Sequence, residues 1–262
     1  MVWCEMIDTG YLFSKDDTRI FVNTCLGCTS KCSYCYLSKM GYDDKSIVSN
    51  TKTSEELIEE IENYGISKDT LITLGCFSEC WDDNNKPETI KLIRYFLQRG
   101  NQIQLSKKKE ITIQEARQFE DLTTYLGQLV IFVSSATISQ WNKIEKGTDS
   151  LNKRFNTFEL SNQLGIPTVL YMKPILKGIT IKDIDLYKEV IKKYGIKDVV
   201  VGSIFSEEHS EETVHFSNKG LLYYNPNSDE AKIKKQLMQL ENVRIFSRST
   251  QVTQYYKEKI KK

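Results

Sequence analysis

The sequence predicts an α/β fold, an open, partial (β/α)6 barrel of the TIM type carrying a small C-terminal α+β appendage. Short apolar runs alternate six times in series with segments of helical period. The connections are short, so successive strands run parallel through right-handed crossovers. Six units are too few to close an eight-stranded barrel. A chain of 262 residues with 40% hydrophobic content can bury the core this needs. The barrel is expected over residues 1–205 and the appendage, packed on one barrel edge, over residues 206–262.

Residues 19–24 read as the first strand, leading into a cysteine-rich loop. Thr53 and Glu56 form a capping box, Leu57, Ile58, Ile61 and Tyr64 share one helical face, and Gly65 stops the helix. Residues 70–75 are the second strand. Pro87 opens a helix lined by Ile90, Ile93 and Leu97 and ended by Gly100, ahead of a strand at 103–106. A helix over 113–125 precedes the apolar run 129–133, a fully buried strand. A helix over 151–164 precedes the strand 168–172. Thr180, with Asp183 three residues on, caps a helix carrying Ile184, Tyr187, Val190 and Ile191, closed by Gly195 before the strand 198–201. The remainder offers strands at 221–224 and 243–246 around a helix over 229–240.

Lys+Arg 36 against Asp+Glu 35 leaves a net charge of +1, so no global field draws the chain to nucleic acid or membrane. The basic end, residues 257–262, is expected to be a solvated tail. No apolar run approaches the ~20 residues that span a bilayer, and no basic stretch leads an apolar one at the start, so a cytoplasmic protein is expected. Seven cysteines is an odd number, and six of them cluster at 25–35 and 76–80. In a reducing compartment that favours metal binding or catalysis over disulfides.

Cys28, Cys32 and Cys35 are spaced by three and then two intervening residues. Structural zinc sites close with four ligands, which here would require Cys25 as the fourth. Three thiolates on one tight loop can instead grip three irons of a 4Fe-4S cluster, leaving the fourth iron open to the amine and carboxylate of S-adenosylmethionine. In parallel α/β folds ligands gather at the carboxyl ends of the strands. The cysteine loop, Cys76 and Ser78, Lys107 and Ser134 all follow strands there.

That spacing, with an aromatic residue directly before the last cysteine, resembles the signature of the radical S-adenosylmethionine superfamily, whose usual fold is a partial barrel. A closer resemblance, to the spore photoproduct lyase family, runs from Thr24 to Ser247. It rests on Cys32-Ser-Tyr-Cys35-Tyr36-Leu37, Cys76-Phe-Ser78-Glu79, Leu105-Ser-Lys107, Ser134 followed by Glu145-Lys-Gly-Thr148 ahead of Arg154, and Pro174-Ile175. Lys146 stands where that family has proline, and Lys173 where it has a small residue.

The resemblance implies reductive cleavage of S-adenosylmethionine to a 5'-deoxyadenosyl radical, which abstracts hydrogen from a thymine-dimer lesion in DNA. It implies Cys76 as hydrogen donor to the product, Tyr34 and Tyr36 as catalytic tyrosines, one of which helps return the radical, and Ser78, Lys107, Ser134, Arg154 and Lys173 as cofactor-binding positions. Lys173 would make its contact to adenine through its backbone. It also implies an electron donor of the flavodoxin or ferredoxin type. Within the superfamily, a peptide, an RNA or a small metabolite is the alternative substrate; outside it, a non-catalytic metal-binding module. Cys76 and Cys80, joined by Cys4 and Cys25, could instead ligate a second cluster. Trp81, Asp82 and Asp83 are read as a solvated turn or as the substrate mouth.

Overall fold

The computed structural model describes residues 9–16, 18–42, 51–210, 213–217 and 220–260. Its centre is an eight-stranded sheet in the spatial order Leu12–Asp16, Arg19–Val22, Leu71–Leu74, Ile103–Lys107, Leu129–Ser134, Thr168–Met172, Asp198–Val201 and Arg244–Phe246. The first pair is antiparallel and all others are parallel. The six expected strands are all present, the first ending at Val22. Among the described residues the sheet stays open, with no closed barrel.

Side-chain alternation sorts each strand between two interiors. Ile72, Leu74, Ile103, Leu105, Leu129 and Ile131 point outward to Leu57, Ile61, Ile93, Phe96 and Leu97 of the first two helices. Val133, Leu170, Met172, Val199 and Val201 meet Tyr187, Ile191, Ile233 and Leu237. The inward set, Val130, Phe132, Val169 and Val200, packs on Val252 and Tyr256 of a last helix, Ser249–Ile260. That helix fills the concave face of the open barrel.

Several elements depart from expectation. Arg244–Phe246, expected in the appendage, is the eighth strand of the main sheet. Its three residues are half-exposed and carry no apolar period; the Arg244 guanidinium pins the strand by forking onto Asp198 at 2.6 and 2.9 Å. The basic end is helical through Ile260, with Lys257 on Asp69 at 2.8 Å, while residues 261–262 lie outside the described residues. The helix over 113–125 breaks into Ile113–Ala116 and the 3-10 turn Glu120–Leu122, with Phe119 turned fully into the core between them. The helix over 151–164 divides at Thr157, whose hydroxyl faces inward to accept from the Ile111 amide. Thr180 does not cap the following helix: it lies in a 3-10 turn and donates to the Ala136 carbonyl oxygen at 2.7 Å, and the helix begins at Ile184.

Beyond the seventh strand the chain forms a separate antiparallel sheet of Ile204–Ser206, Thr213–Ser217 and Gly220–Asn225. Leu222 of this sheet packs with Phe13, Leu26, Leu37, Met40 and Phe77, so the sheet leans over the cysteine loop. Lys39, just past that loop, meets Glu207 at 2.6 Å. Among the described residues, no helix is long and apolar enough to cross a membrane.

Candidate functional site

The carboxyl ends of the parallel strands converge on a cavity of about 170 Å³. Cys28, Cys32 and Cys35 line it together with Tyr34, Tyr36, Cys76, Ser78, Lys107, Ser134 and Lys173. Of the expected site residues, only Arg154 is absent from its wall.

The three motif cysteines are half-exposed toward this space, whereas Cys25 and Cys80 are buried outside its lining. The Cys25 backbone bridges Thr51, and the Cys80 thiol lies 3.9 Å from the Ser106 carbonyl oxygen within the outer core. Neither adds a ligand at the cavity, so the zinc and second-cluster arrangements have no support from these two. Cys4 lies outside the described residues. Trp81 is a core residue bonded through Nε1 to Glu115, Asp82 accepts from the Thr29 hydroxyl, Asp83 is exposed, and none of the three lines the cavity.

Burial pushes the Cys28 thiol up to about 12 and raises Cys32, which the nearby Lys108 opposes. Thiolates in such surroundings form against a cationic centre, as metal binding requires. A second observation points to a ligand. Ser78 is buried on the same wall, and its Oγ has no hydrogen-bond partner among the described residues. Such orphaned hydroxyls are uncommon in folded proteins. The donor set therefore fits a metal cluster with a polar ligand beside it.

Cys76 and Tyr36 form a pair. The Tyr36 hydroxyl donates to the Cys76 carbonyl oxygen at 2.9 Å and lies 3.9 Å from its Sγ. Burial raises the Cys76 thiol to about 11, against the lowering influence of Arg19 and Tyr36, and holds Tyr36 well above its ordinary value. Both groups carry their protons at neutral pH. The Tyr36 ring in turn meets Phe205 edge-on, centroids 5.5 Å apart.

Tyr34 points elsewhere. Its hydroxyl donates to Glu145, which is fully buried and also accepts from Arg154 at 2.7 Å. The Arg154 guanidinium donates further to the carbonyl oxygens of Ser134 and Asp149 and to the Thr148 hydroxyl. Arg154, expected to contact the cofactor, is thus enclosed behind the site wall.

Lys107, expected to bind the cofactor, lines the cavity, but its ammonium is held in the interior by the Arg154 carbonyl oxygen at 3.1 Å and by the Thr157 hydroxyl. Burial lowers it to about 7. The neighbouring Lys108, half-buried, also lines the cavity. Its ammonium lies 5.7 Å from the Tyr34 ring centroid, and although burial lowers its pKa, Cys32 and Glu145 raise it on balance. The Lys107–Lys109 run does not tell which lysine turns out; the strand's alternation does, once its register is known. Glu79, also lining the cavity, accepts from the Lys108 and Trp81 amides, and burial raises its carboxyl. Lys173 precedes a cis peptide to Pro174, and its ammonium lies 4.3 Å from the Tyr224 centroid and 5.1 Å from that of Phe205.

No family model and no curated protein matches the sequence. Solved structures do match the fold. A variant of spore photoproduct lyase superposes with a TM-score of 0.67 at 15% identity, over 92% of this chain and 79% of that one. A second variant of that lyase, with bound S-adenosylmethionine and dinucleoside spore photoproduct, gives 0.66 at 14% over 94% and 80%. Streptococcus suis SuiB bound to S-adenosylmethionine gives 0.60 at 9%, over 88% of this chain and 50% of that one. The resemblance read from the cysteine loop is thus matched by the architecture: the chain shares the fold of spore photoproduct lyase and SuiB, with the open partial barrel the sequence predicts.

Proposed function

We propose that this chain is a radical S-adenosylmethionine enzyme. The observation that carries the proposal is the meeting of three motif cysteines, the Tyr36–Cys76 pair and the orphaned Ser78 hydroxyl around one cavity at the strand ends. Cys28, Cys32 and Cys35 would hold a 4Fe-4S cluster, and Ser78, Ser134 and the Lys173 backbone would hold S-adenosylmethionine. When bound, this pair supplies a 5'-deoxyadenosyl radical that abstracts hydrogen from a substrate.

The protein's own residues then have distinct tasks. Ser78 gives the cofactor a hydroxyl that has no other partner among the described residues. Lys108 supplies a positive charge at the cavity wall. Cys76, protonated at neutral pH, returns a hydrogen atom to the substrate carbon as its S–H bond breaks homolytically. The Tyr36 O–H, 3.9 Å away, replaces that hydrogen on sulfur and leaves the radical on the tyrosine. The antiparallel sheet carrying Phe205 limits water at the mouth.

The substrate we favour is a DNA photolesion, on the likeness to a lyase solved with a dinucleoside spore photoproduct. The reaction would cleave the carbon–carbon bond between the two bases, with a flavodoxin or ferredoxin as electron donor. Anaerobic purification tests the reading. A brown protein that forms 5'-deoxyadenosine from S-adenosylmethionine with dithionite is expected, and a colourless protein holding one zinc would overturn it. Ultraviolet-irradiated DNA in the same assay tests the substrate: unchanged lesions with active enzyme would leave a peptide, RNA or small metabolite.

A further inference from the structure

Tyr34 lies between two of the motif cysteines, yet its hydroxyl is directed into the protein. Around it the segment 144–148 backs the cysteine loop residue by residue. Ser33 N–H donates to the Ile144 carbonyl oxygen at 2.8 Å, and Lys31 and Cys32 pair with Lys146 and Glu145 in a two-stranded ladder. Gly147, at φ +76°, brings its backbone so close that a Cβ there would meet the Ser30 Cα and the Thr29 carbonyl oxygen at 3.2 Å each. The Ser30 hydroxyl lies 3.4 Å from the Gly147 carbonyl oxygen.

The segment is itself fixed from beneath. Glu145 and Arg154 are both fully buried and meet at 2.7 Å. One Glu145 oxygen accepts from Tyr34 and the Ala136 amide, the other from Arg154. Arg154 closes the turn through Thr148 and Asp149. A buried ion pair gains less over an apolar pair of the same shape than its contacts suggest, and its best-attested use is to fix one arrangement. Here that arrangement is the cysteine loop.

We infer that Tyr34, Glu145 and Arg154 form a latch that holds the cysteine loop in its ligating conformation, and that they are positioning residues. Tyr34 acts through Glu145, leaving the radical relay to Tyr36. The inference rests on the proposed cluster and concerns how firmly this chain keeps it. Tyr34→Phe removes one hydrogen bond to a charged group and alters no charge.

The experiment measures iron release to a ferrous chelator from anaerobically reconstituted, dithionite-reduced protein, with the melting temperature in parallel. Release from Tyr34→Phe should be roughly tenfold faster than from wild type, the scale of one hydrogen bond to a charged group. The melting temperature should fall by only a few degrees. Tyr36→Phe, which leaves the latch intact, should release iron at the wild-type rate. Equal rates for wild type and Tyr34→Phe would overturn the latch, as would an equal acceleration in Tyr36→Phe. In Glu145→Gln the reduced cluster's electron paramagnetic resonance signal should broaden, because the loop then samples several arrangements; an unchanged line shape would also count against it. A wild-type protein that binds no cluster would sink the proposed function instead, so the two failures are distinguishable.

Discussion

The hydrogen-donor role proposed for Cys76 depends on a proton being present. Burial keeps the thiol protonated far above neutral pH, which is the form that can give up a hydrogen atom. Cys76→Ala should leave the yield of 5'-deoxyadenosine within about twofold of wild type, because the residue is not among the three motif cysteines, while the substrate radical is quenched by other routes. Product analysis by mass spectrometry checks this, and an unchanged product would remove the donor role. Lys107 makes a different claim at the same scale. Its folded pKa, about 7, lies below its ordinary 10.5, so between these values the unfolded chain binds more protons. Stability attributable to Lys107 therefore rises with pH from 7 toward 10.5 and is lowest and constant below 7. Thermal melts of wild type and Lys107→Met between pH 7 and 10 should show the wild type gaining relative to the variant as pH rises. Groups common to both chains cancel in that comparison.

Among the elements, the turn after the Leu129–Ser134 strand is held by one carboxylate. Asp183 accepts from the Thr137 hydroxyl at 2.6 Å and from the Ile138 and Ser139 amides at 2.7 and 3.1 Å. Burial alone raises its carboxyl, yet these bonds hold it below 3.8 on balance, so its contribution is present above that pH and lost as pH falls through the lower folded value. Asp183→Asn should cost about 2 kcal/mol at pH 7 by urea denaturation, with the difference from wild type shrinking as pH drops below about 4. The sequence pairs Asp183 with Thr180 in a helix cap because capping motifs are local, whereas its three partners come from a loop some 45 residues earlier in the chain. The same rule explains what was legible. Thr53, Glu56 and the apolar runs speak through neighbours a few residues away, so helices and parallel strands were readable. Cys28, Cys32 and Cys35 were readable for the same reason. Lys108, Glu145 and the burial of Arg154 were not, because each depends on the register of distant strands.

For the whole molecule, the least legible element is the one that completes the core. The Ser249–Ile260 helix has a basic end and weak amphipathicity, and reads in isolation as a tail. In the fold it lies along the concave face of the sheet. Val252 is fully buried among Val130, Phe132, Val169 and Val200, and Tyr256 donates to Asp198 at 2.6 Å. Gln102 donates to the Thr253 carbonyl oxygen at 2.9 Å, and Gly127 at φ +86° comes so near Tyr256 that any Cβ there would overlap its ring. The boundary proposed near residue 205 is thus one of chain order, and the two parts should not separate. Without residues 244–262 the chain would leave an apolar face of the sheet open to water and an edge strand unpaired. The fragment 1–205 should bind a hydrophobic dye and melt without cooperativity. Because truncation can fail for trivial reasons, Val252→Asp in the full chain is the sharper probe. A carboxylate in that apolar site, with no cation provided, should cost about 3–4 kcal/mol or be taken up protonated at a similar loss. Urea unfolding would show the loss, and a variant as stable as wild type would mean that the helix only rests on the barrel instead of filling it.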